Sequence, residues 1–291
     1  MVKFKNMSEE EIDNVSKFIA MLNNMEESHI GFCGKDHEEI KKSMIDDIED
    51  IDYTNSFIVA HVKDQLVGVL GFDYDLEDRS AEIWGPFIKE GYWEIAIDLW
   101  EQMVGLLPNE IESLHKFPNK RNLKAQKLAE NVGFSKQSKE IVLAFEKHNQ
   151  SELSEQELVE LTENDYDEMK TLHDEVFPKA YYSGQRILNR LNGTRKVLII
   201  TNEQGFAGYV YVEAEPEFEE GSIEFFAVKE SERGKGYGEF LLTAALKWLF
   251  TFETISSIDL CVNSGNEKAI KLYERIGFKR VHDLYSFTNE R

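Results

Sequence analysis

The chain has 291 residues, 42% of them hydrophobic, with 55 acidic against 33 basic side chains and a formal charge of −22. This length suits about two domains with packed cores, and the acidic surplus argues against a nucleic-acid partner, which needs a basic surface. With no apolar run of membrane-spanning length, no signal-peptide core and only two distant cysteines, Cys33 and Cys261, we expect a cytoplasmic protein without a membrane partner.

The first half of the chain predicts helices first and then strands that alternate with helices. Apolar residues recur at helical spacing through 1–50, with a break at Gly31–Gly34, and again at 95–107 and 119–131. The predicted strands are 56–62, 66–72, 81–88, 111–115 and 141–145. Lys63-Asp64-Gln65 joins the first two strands as a hairpin.

The second half repeats this order after a polar stretch at 146–157, which lacks an apolar period and predicts a linker. The predicted strands are 158–161, 196–201, 206–212, 223–228, 255–262 and 281–287. The predicted helices are 165–176, 185–191, 239–250 and 267–276.

A glycine-rich loop, Arg233-Gly-Lys-Gly-Tyr-Gly238, lies between the strand that ends at Val228 and the Leu- and Ala-rich helix of 239–250. Glycine lets consecutive amides turn inward and lets the backbone approach a ligand, and the helix N-terminus that follows favours an anion. The spacing fits neither the Gly-x-Gly-x-x-Gly of dinucleotide folds nor a P-loop. We interpret the loop as a phosphate-binding cradle, with an ordinary strand-to-helix turn as the alternative.

Two signatures in this half resemble those of the GNAT N-acetyltransferase family. The pattern Arg233-x-x-Gly236-x-Gly238 after a strand resembles the acyl-CoA loop of that family. Residues 263–278 resemble its second signature, Asn-x-x-Asn-x-x-Ala-x-x-x-Tyr-x-x-x-Gly-Phe, and a capping box at Ser264 and Glu267 predicts a helix that starts near Asn266. The resemblance covers roughly residue 158 to residue 291.

The second signature also has a partner 144 residues earlier in the chain. There, residues 119–134 carry Asn119-x-x-Asn122-x-x-Ala125 and then Gly133-Phe134. The resemblance therefore implies an α/β fold with a mixed sheet, built from two tandem GNAT-like domains at 1–145 and 157–291.

The first copy departs from the family where chemistry would occur. Ala129 stands at the offset of Tyr273, a single Gly91 replaces the three glycines of the loop, and the segment from Ile88 to Asn119 is shorter than its counterpart. We interpret this domain as a degenerate copy that supports the other domain, completes its substrate groove or dimerises with it. A homodimer is thus one expectation.

The resemblance implies acetyl-CoA as the co-substrate. Its pantetheine arm would lie between two parted strands, paired with the backbone of Phe226, Ala227 and Val228. The backbone amides of the loop would hold the pyrophosphate, and they belong to Arg233, Gly234, Lys235, Gly236, Tyr237 and Gly238. Asn263 on the facing strand and Asn266 would be further coenzyme contacts. The basic side chains of Arg233 and Lys235 would offset the negative charge of the coenzyme.

Two residues are the candidates for proton transfer. Tyr273 would act as the acid toward the coenzyme sulfur, with a plain core tyrosine as the alternative. Glu224 would act as the base on the ammonium of the acceptor, directly or through a water, with a partly solvated strand-edge carboxylate as the alternative. Because side chains alternate along a strand, we expect Glu224 to share a face with Phe226 and Val228. These apolar neighbours would solvate its carboxylate poorly and so raise its pKa.

The expected function is transfer of an acetyl group to a primary amine of a small molecule or peptide by direct attack in a ternary complex. The identity of that amine stays open, although Tyr181 and Tyr182 lie in a loop that could face the substrate or merely pack. The alternative is a non-catalytic CoA-binding sensor or scaffold.

No metal is expected, because Gly31 and Gly34 interrupt the ligand-like spacing of His29, Cys33 and His37.

Overall fold

A computed structural model describes residues 1–48, 50–76, 78–152, 159–178 and 180–291. The chain forms two compact units, one of Met1–Glu140 with His282–Arg291 and one of Ile141–Val281. The units differ from the predicted domains 1–145 and 157–291 mainly because residues 282–291 belong to the first unit. The predicted start of the second domain, residue 157, lies outside the described residues.

Both units are built from strands and helices in alternation. The strands are β1 (Lys3–Asn6), β2 (Phe57–Val62), β3 (Gln65–Asp75), β4 (Ser80–Ile88), β5 (Ser113–Lys116), β6 (Ser135–Glu146), β7 (Arg195–Asn202), β8 (Gly205–Glu215), β9 (Glu220–Val228), β10 (Ser257–Asn263) and β11 (Lys279–Glu290). The helices are α1 (Ile12–Asn23), α2 (His37–Lys42), α3 (Tyr53–Ser56), α4 (Ala96–Val104), α5 (Leu123–Asn131), α6 (Tyr166–Val176), α7 (Gly184–Arg190), α8 (Tyr237–Leu249) and α9 (Glu267–Ile276).

In the first unit the strand order is β1-β2-β3-β4-β5 followed by the C-terminal part of β11. Only β4 and β5 run parallel, while the other neighbours are antiparallel. Central strands such as β2 are buried on both faces, which explains their unbroken apolar runs. The predicted helical region 1–50 also contains β1, an edge strand of only four residues in which Phe4 alone is partly buried.

The predicted hairpin between β2 and β3 is confirmed. Its two turn residues, Lys63 and Asp64, have φ of 48° and 64°, the left-handed conformation that a tight two-residue hairpin turn requires at both positions. The turn fixes the register in which Val62 faces Gln65.

The second unit has the strand order β6-β10-β9-β8-β7. Helix α8 packs on one face of this sheet, and its residues 241–246 are all buried, as a helix of Leu and Ala with no polar side predicts. The buried residues of α6 and α7 pack on the other face. The predicted strand 158–161 is reduced to a single bridge between Glu160 and Leu198, and its first residue lies outside the described residues.

Equivalent hydrogen bonds show the internal repeat at its offset of 144 residues. Asn122 and Asn266 are the N-caps of α5 and α9, and each side chain accepts a hydrogen bond from the backbone N–H three residues on. The capping box expected at Ser264 is therefore wrong, because Asn266 itself caps the helix. After each helix, the N–H of Phe134 or Phe278 donates to the carbonyl five residues earlier, which belongs to Ala129 in one unit and Tyr273 in the other.

The shortened segment of the first unit lies between its two parallel strands. The first β4–β5 pair joins Ser80 to Ser113, and the first β9–β10 pair joins Glu220 to Ser257. The offset is thus 140 residues before the loop and 144 after it. The four missing residues confirm the shortening predicted from the sequence.

Within the described ranges, none of the helices has both the length and the apolar character that a bilayer crossing demands.

Candidate active site

The second unit contains a gap between two parallel strands. β9 pairs with β10 from Glu220 to Ser222, and no further pair of these strands is found among the described residues. On its other edge β9 stays paired with β8 as far as Val228. The backbone groups that β9 turns toward β10 beyond Ser222 can therefore bind a ligand that lies along the strand. This gap is the parting of strands that the family resemblance implies.

The glycine loop stands at the end of that gap and opens toward solvent. Gly234 and Gly236 have φ of 82° and 87°, and a Cβ added at either would meet no atom within 4 Å. Gly236 is the N-cap of α8, and the N–H of Phe240 bonds to its carbonyl. The amides before Phe240 thus belong to the unpaired first turn of a helix, where an anion is stabilised.

The charged side chains of the loop are tied to the protein. Arg233 donates from Nε to the carbonyl of Val228 at 3.2 Å, which closes the loop onto the end of β9. Lys235 lies 3.0 Å from both carboxylate oxygens of the buried Glu232. Glu232 also accepts from Asn202 at 2.6 Å. The expectation that Lys235 offsets coenzyme charge is weakened, because its ammonium already has an anionic partner.

Gly238 has a packing role in addition to the predicted one. A Cβ at this position would lie 3.0 Å from both the Leu272 side chain and the Phe226 ring. The absence of a side chain therefore lets the first turn of α8 approach β9 and α9 closely.

The two asparagines of the second signature shape their own turn. Asn263 accepts from the Gly265 N–H at 2.9 Å, and its carbonyl accepts from the Asn266 N–H at 2.9 Å. Asn266 then caps α9 through the Ala269 N–H at 3.2 Å. These bonds explain both residues structurally, and their predicted coenzyme contacts stay predictions.

Glu224 occupies a β-bulge, which the sequence did not reveal. Tyr211 of β8 faces Phe225, but the next residue, Val212, faces Ile223, so Glu224 has no opposite residue. Phe225 packs with the α6 and α7 side of the sheet, whereas Phe226 packs with the α8 side. Glu224 is turned to the Phe225 side, because its carboxylate accepts a hydrogen bond from Tyr181, whose ring lies 4.9 Å from that of Phe225. The expectation that Glu224 shares a face with Phe226 and Val228 is therefore wrong.

The electrostatic surroundings of Glu224 suit a base. Burial raises the pKa of its carboxyl above the ordinary 4.5, and the nearby charge of Glu213 raises it further. Hydrogen bonds from Ser222 and Tyr181 stabilise the ionised form and partly oppose that rise. The balance favours a carboxylate that still holds a proton above its usual range.

Tyr273 lies on the other face of the sheet, in the core beneath the gap. Its side chain is 8% exposed and its ring packs edge-on against Phe278. Burial, and secondarily the neighbouring Cys261, raise the pKa of Tyr273 to about 12, so the hydroxyl keeps its proton near neutral pH.

A buried ion cluster beside Glu224 was missed by sequence reasoning. Glu213, 8% exposed, lies 3.2 Å from Arg190 and 3.0 Å from Arg195, and it accepts from the Tyr211 hydroxyl at 2.5 Å. Its carboxylate is thus paired with two guanidinium groups. The signal was a glutamate that continues the apolar alternation of β8, in line with Tyr209 and Tyr211.

The loop that carries Tyr181 is held by His173, also missed. This buried histidine joins the Tyr209 hydroxyl at Nδ1 (2.5 Å) and the Tyr182 carbonyl at Nε2 (2.7 Å). Since a carbonyl only accepts, Nε2 carries the hydrogen and Nδ1 accepts from Tyr209. Tyr209 and Tyr211 are fully buried, whereas Tyr181 is 52% exposed. Only the loop tyrosines can therefore face a substrate.

In the first unit the corresponding gap is filled by the chain itself. β4 and β5 also part after three pairs, the last being Glu82 with His115. Beyond it, the Gly31 N–H donates to the Phe117 carbonyl and the Asn119 N–H to the His29 carbonyl. This segment, residues 29–31, pairs with the chain beyond β5; we call it the plug, because it occupies the β5 side of the gap.

The spacing of His29, Cys33 and His37 does not form a ligand set. His29 stacks on His282 with ring centroids 4.2 Å apart, and Cys33 is buried in the apolar core. Within the described part of the chain, no group of three or more His, Cys, Asp or Glu side chains could hold a metal ion.

Comparisons with known proteins agree with this geometry. Residues 158–278 match the Acetyltransferase (GNAT) family. A comparison with curated protein sequences found no match. The match to the GNAT acetyltransferase family thus lies entirely in the second half of the chain.

Solved structures extend the likeness to both units. A GCN5-related N-acetyltransferase from Sphaerobacter thermophilus has a TM-score of 0.77 at 14% identity, covering 99% of this chain and 95% of that one. A tandem GNAT protein from the clavulanic acid biosynthesis pathway has a TM-score of 0.69 at 13% identity, covering 100% and 98%. A putative acetyltransferase from Pyrococcus horikoshii has a TM-score of 0.66 at 13% identity, covering 100% and 89%. The fold is thus that of a tandem GNAT protein, with a large mixed sheet.

Proposed function

We propose that the protein is an acetyl-CoA-dependent N-acetyltransferase whose second unit acetylates a primary amine. The observation that carries the proposal is the gap between β9 and β10, which ends at an open glycine loop. A parted strand can pair with an amide-containing arm, and an open helix N-terminus can bind a pyrophosphate. The residues present therefore fit coenzyme A.

Each part of the coenzyme has its binding groups in this chain. The backbone of Phe226 to Val228 would pair with the pantetheine arm, and the amides from Arg233 to Gly238 would hold the pyrophosphate. When bound, acetyl-CoA supplies a thioester from which a free amine can take the acetyl group.

Two side chains would move protons during that transfer. Ionised Glu224 accepts a proton from the ammonium of the acceptor, directly or through one water, because only the free amine is a nucleophile. Tyr273 holds a proton on its hydroxyl for the departing thiolate. The raised pKa values of both groups support these roles, since a base must work near neutrality and an acid must stay protonated there.

The first unit would bind no acetyl-CoA in this proposal. Its gap is occupied by the plug, and its loop has the single open glycine Gly91 in place of Gly234 and Gly236. Trp84 takes the position of Glu224 at the offset of 140 residues. The unit thus lacks the cradle and both candidate proton-transfer groups.

The test is release of free thiol from acetyl-CoA in the presence of a panel of primary amines, with the Glu224→Gln variant as control. Acetylated amine, identified by mass spectrometry and absent with the variant near neutral pH, would support the proposal. Tight binding of acetyl-CoA without acetylation of any amine would instead support a CoA-binding sensor or scaffold.

A further inference from the structure

The bond between Tyr181 and Glu224 depends on a loop whose tip is exposed. The α6–α7 loop comprises residues 177–183, of which residue 179 lies outside the described residues. Tyr181 is 52% exposed, so burial alone does not hold its side chain in one place. An exposed side chain keeps a single hydrogen bond only at a cost in conformational entropy. The backbone that carries Tyr181 must therefore be fixed from beneath.

His173 lies beneath this loop. It belongs to α6 and is fully buried. Its Nε2 donates to the backbone carbonyl of Tyr182, the residue after Tyr181, at 2.7 Å. Its Nδ1 accepts from the hydroxyl of Tyr209 at 2.5 Å, so the imidazole links the loop backbone to β8. Both ring nitrogens are occupied by these bonds, and an effect of His173 on Glu224 therefore passes through the loop.

Ring packing places His173 and Tyr181 against the same residue of β9. The His173 ring meets the Phe225 ring edge-on, with centroids 4.7 Å apart, and the Tyr181 ring lies 4.9 Å from that of Phe225. Phe225 is the residue that directly follows the candidate base in the bulge. The end of the loop has a second tie to α6, because the N–H of Gly184 donates to the carboxylate of Asp174 at 2.8 Å. The loop, helix α6 and the bulge therefore form one packed cluster.

A neutral imidazole suits this link. Burial lowers the pKa of His173 below the ordinary 6.5, and the bond to the Tyr182 carbonyl and the charge of Asp174 only partly oppose that fall. Neutral imidazole has one N–H donor and one acceptor nitrogen. These are the groups that the Tyr182 carbonyl and the Tyr209 hydroxyl require.

We propose that His173 and Tyr209 are positioning residues for the candidate base. They fix the loop backbone at Tyr182, and the fixed loop keeps the Tyr181 hydroxyl on the Glu224 carboxylate. The inference rests on the proposed function, in which ionised Glu224 accepts the proton of the amine. His173 and Tyr209 themselves touch neither the amine nor the coenzyme, because both are fully buried under the loop.

The inference predicts a higher pKa of Glu224 when the link is broken. Without the bond from Tyr181 the ionised carboxylate loses a donor, so it holds its proton to higher pH. A hydrogen bond to a charged group corresponds to a shift of about one pKa unit. His173→Phe keeps a buried ring against Phe225 but removes both hydrogen bonds, and it should show this shift. His173→Gln keeps a donor within reach of the Tyr182 carbonyl and should restore most of the original value.

The experiment measures the pKa of Glu224 by NMR titration of the full chain labelled with carbon-13 in the glutamate carboxyl groups, and Glu224→Gln identifies the signal. Tyr209→Phe breaks the link at its other end by removal of one hydroxyl, and it should shift the pKa in the same direction. Tyr182→Phe is the matched control, because it keeps the backbone carbonyl that His173 binds, and Glu224 should titrate in it as in the unaltered chain. All of these variants keep Glu213 on β8 and Arg190 on α7, the charged groups that face Glu224.

A double-mutant cycle separates positioning from a general loosening of the fold. His173→Phe should raise the pKa of Glu224 when Tyr181 is present and should leave it unchanged in the Tyr181→Phe background, because the bond that it supports is already gone. If His173→Phe does not fold, Tyr209→Phe takes its place in the cycle. Equal shifts in both backgrounds, or an unshifted pKa in His173→Phe and Tyr209→Phe, would overturn the inference.

The titration is independent of turnover. Where an amine is acetylated, the acidic limb of the pH–rate profile should move with the measured pKa in each variant, while the rate at high pH is retained. Because the titration uses no amine, it decides the role of His173 and Tyr209 even if acetylation is absent, a result that would refute the proposed function alone.

Discussion

The hydroxyl of Tyr181 donates a hydrogen bond to the carboxylate of Glu224. The two residues are 43 positions apart in the chain, one in the loop between α6 and α7 and the other in the bulge of β9. The bond stabilises the ionised form of Glu224 and so lowers its pKa, against the larger effect of burial. Tyr181 therefore lowers the pH at which the candidate base becomes available.

Replacing Tyr181 by Phe should raise the pKa of Glu224 further. The charged form loses a donor, so the acidic limb of the pH–rate profile should move to higher pH while the rate at high pH is retained. Tyr182→Phe is the matched control, because Tyr182 has an adjacent ring but no hydrogen bond to Glu224 in the described structure. A limb that stays in place in Tyr181→Phe would mean that the tyrosine only covers the site.

Replacing Glu224 by Gln should remove the acidic limb that belongs to the carboxylate. In the unaltered chain the rate should rise with pH through the raised pKa of Glu224, because the base works only when ionised. In the variant, the rate should rise with pH only near the pKa of the amine itself. Turnover should recover partly at high pH, because solution then supplies the free amine. Retention of the original profile would place the base elsewhere, and Glu219 or Glu220 would be tested next.

Replacing Tyr273 by Phe should lower turnover with little change in coenzyme affinity. The hydroxyl would act on the leaving thiolate, and loss of a positioned acid costs on the order of 10²-fold. Single-turnover kinetics measure the chemical step, and calorimetry measures affinity. An unchanged chemical step would return Tyr273 to a packing role against Phe278.

Replacing Gly236 by Glu should abolish acetyl-CoA binding, and calorimetry on the unaltered chain should find one site. Gly236→Ala is the control. An alanine must adopt the same positive φ as a glutamate would, at a cost of about 1–2 kcal/mol, but it adds no charge to the loop. Residual binding by the Ala variant and none by the Glu variant would identify phosphate repulsion as the cause. Two equivalent sites in the unaltered chain would contradict the closed gap of the first unit.

Replacing Asn266 by Ala tests whether this residue does more than cap α9. Loss of the cap should lower the free energy of unfolding by about 1 kcal/mol, and Asn122→Ala in α5 should cost a similar amount. Denaturant unfolding measures both. If the predicted coenzyme contact exists, only Asn266→Ala should also weaken acetyl-CoA binding; equal, unaltered affinities would leave Asn266 as a cap alone.

Local signals in the sequence predicted most elements, because turns, caps and periodicity depend on neighbouring residues. The hairpin at Lys63, the repeat of capping asparagines and the glycine loop are of this kind. β1 escaped prediction because its four residues are too few to establish a strand pattern beside the helical spacing that follows. Residues 282–291 follow the second half in sequence but pack in the first unit, and strand pairing between distant segments leaves no local trace.

The sequence predicted the kind of site, but it did not predict how the side chains around Glu224 are arranged. The bulge at Glu224 arises from the register of β9 against β8, and alternation within β9 cannot show it. Tyr181, His173 and Glu213 are each held by contacts with distant segments of the chain, so no spacing in the sequence predicts their positions. The plug at residues 29–31 was hidden for the same reason.

The membership of residues 282–291 in the first unit matters for biosynthesis. Phe287, fully buried in the core of that unit, pairs with Lys116 on β5. A ribosome releases residues 1–140 long before it reaches residue 287. During that interval the first unit lacks the partner strand of β5, so one edge of its sheet is unpaired. Such an edge is a template for wrong strand pairing. The sheet of the N-terminal unit can therefore be completed only after residue 287 has been synthesised.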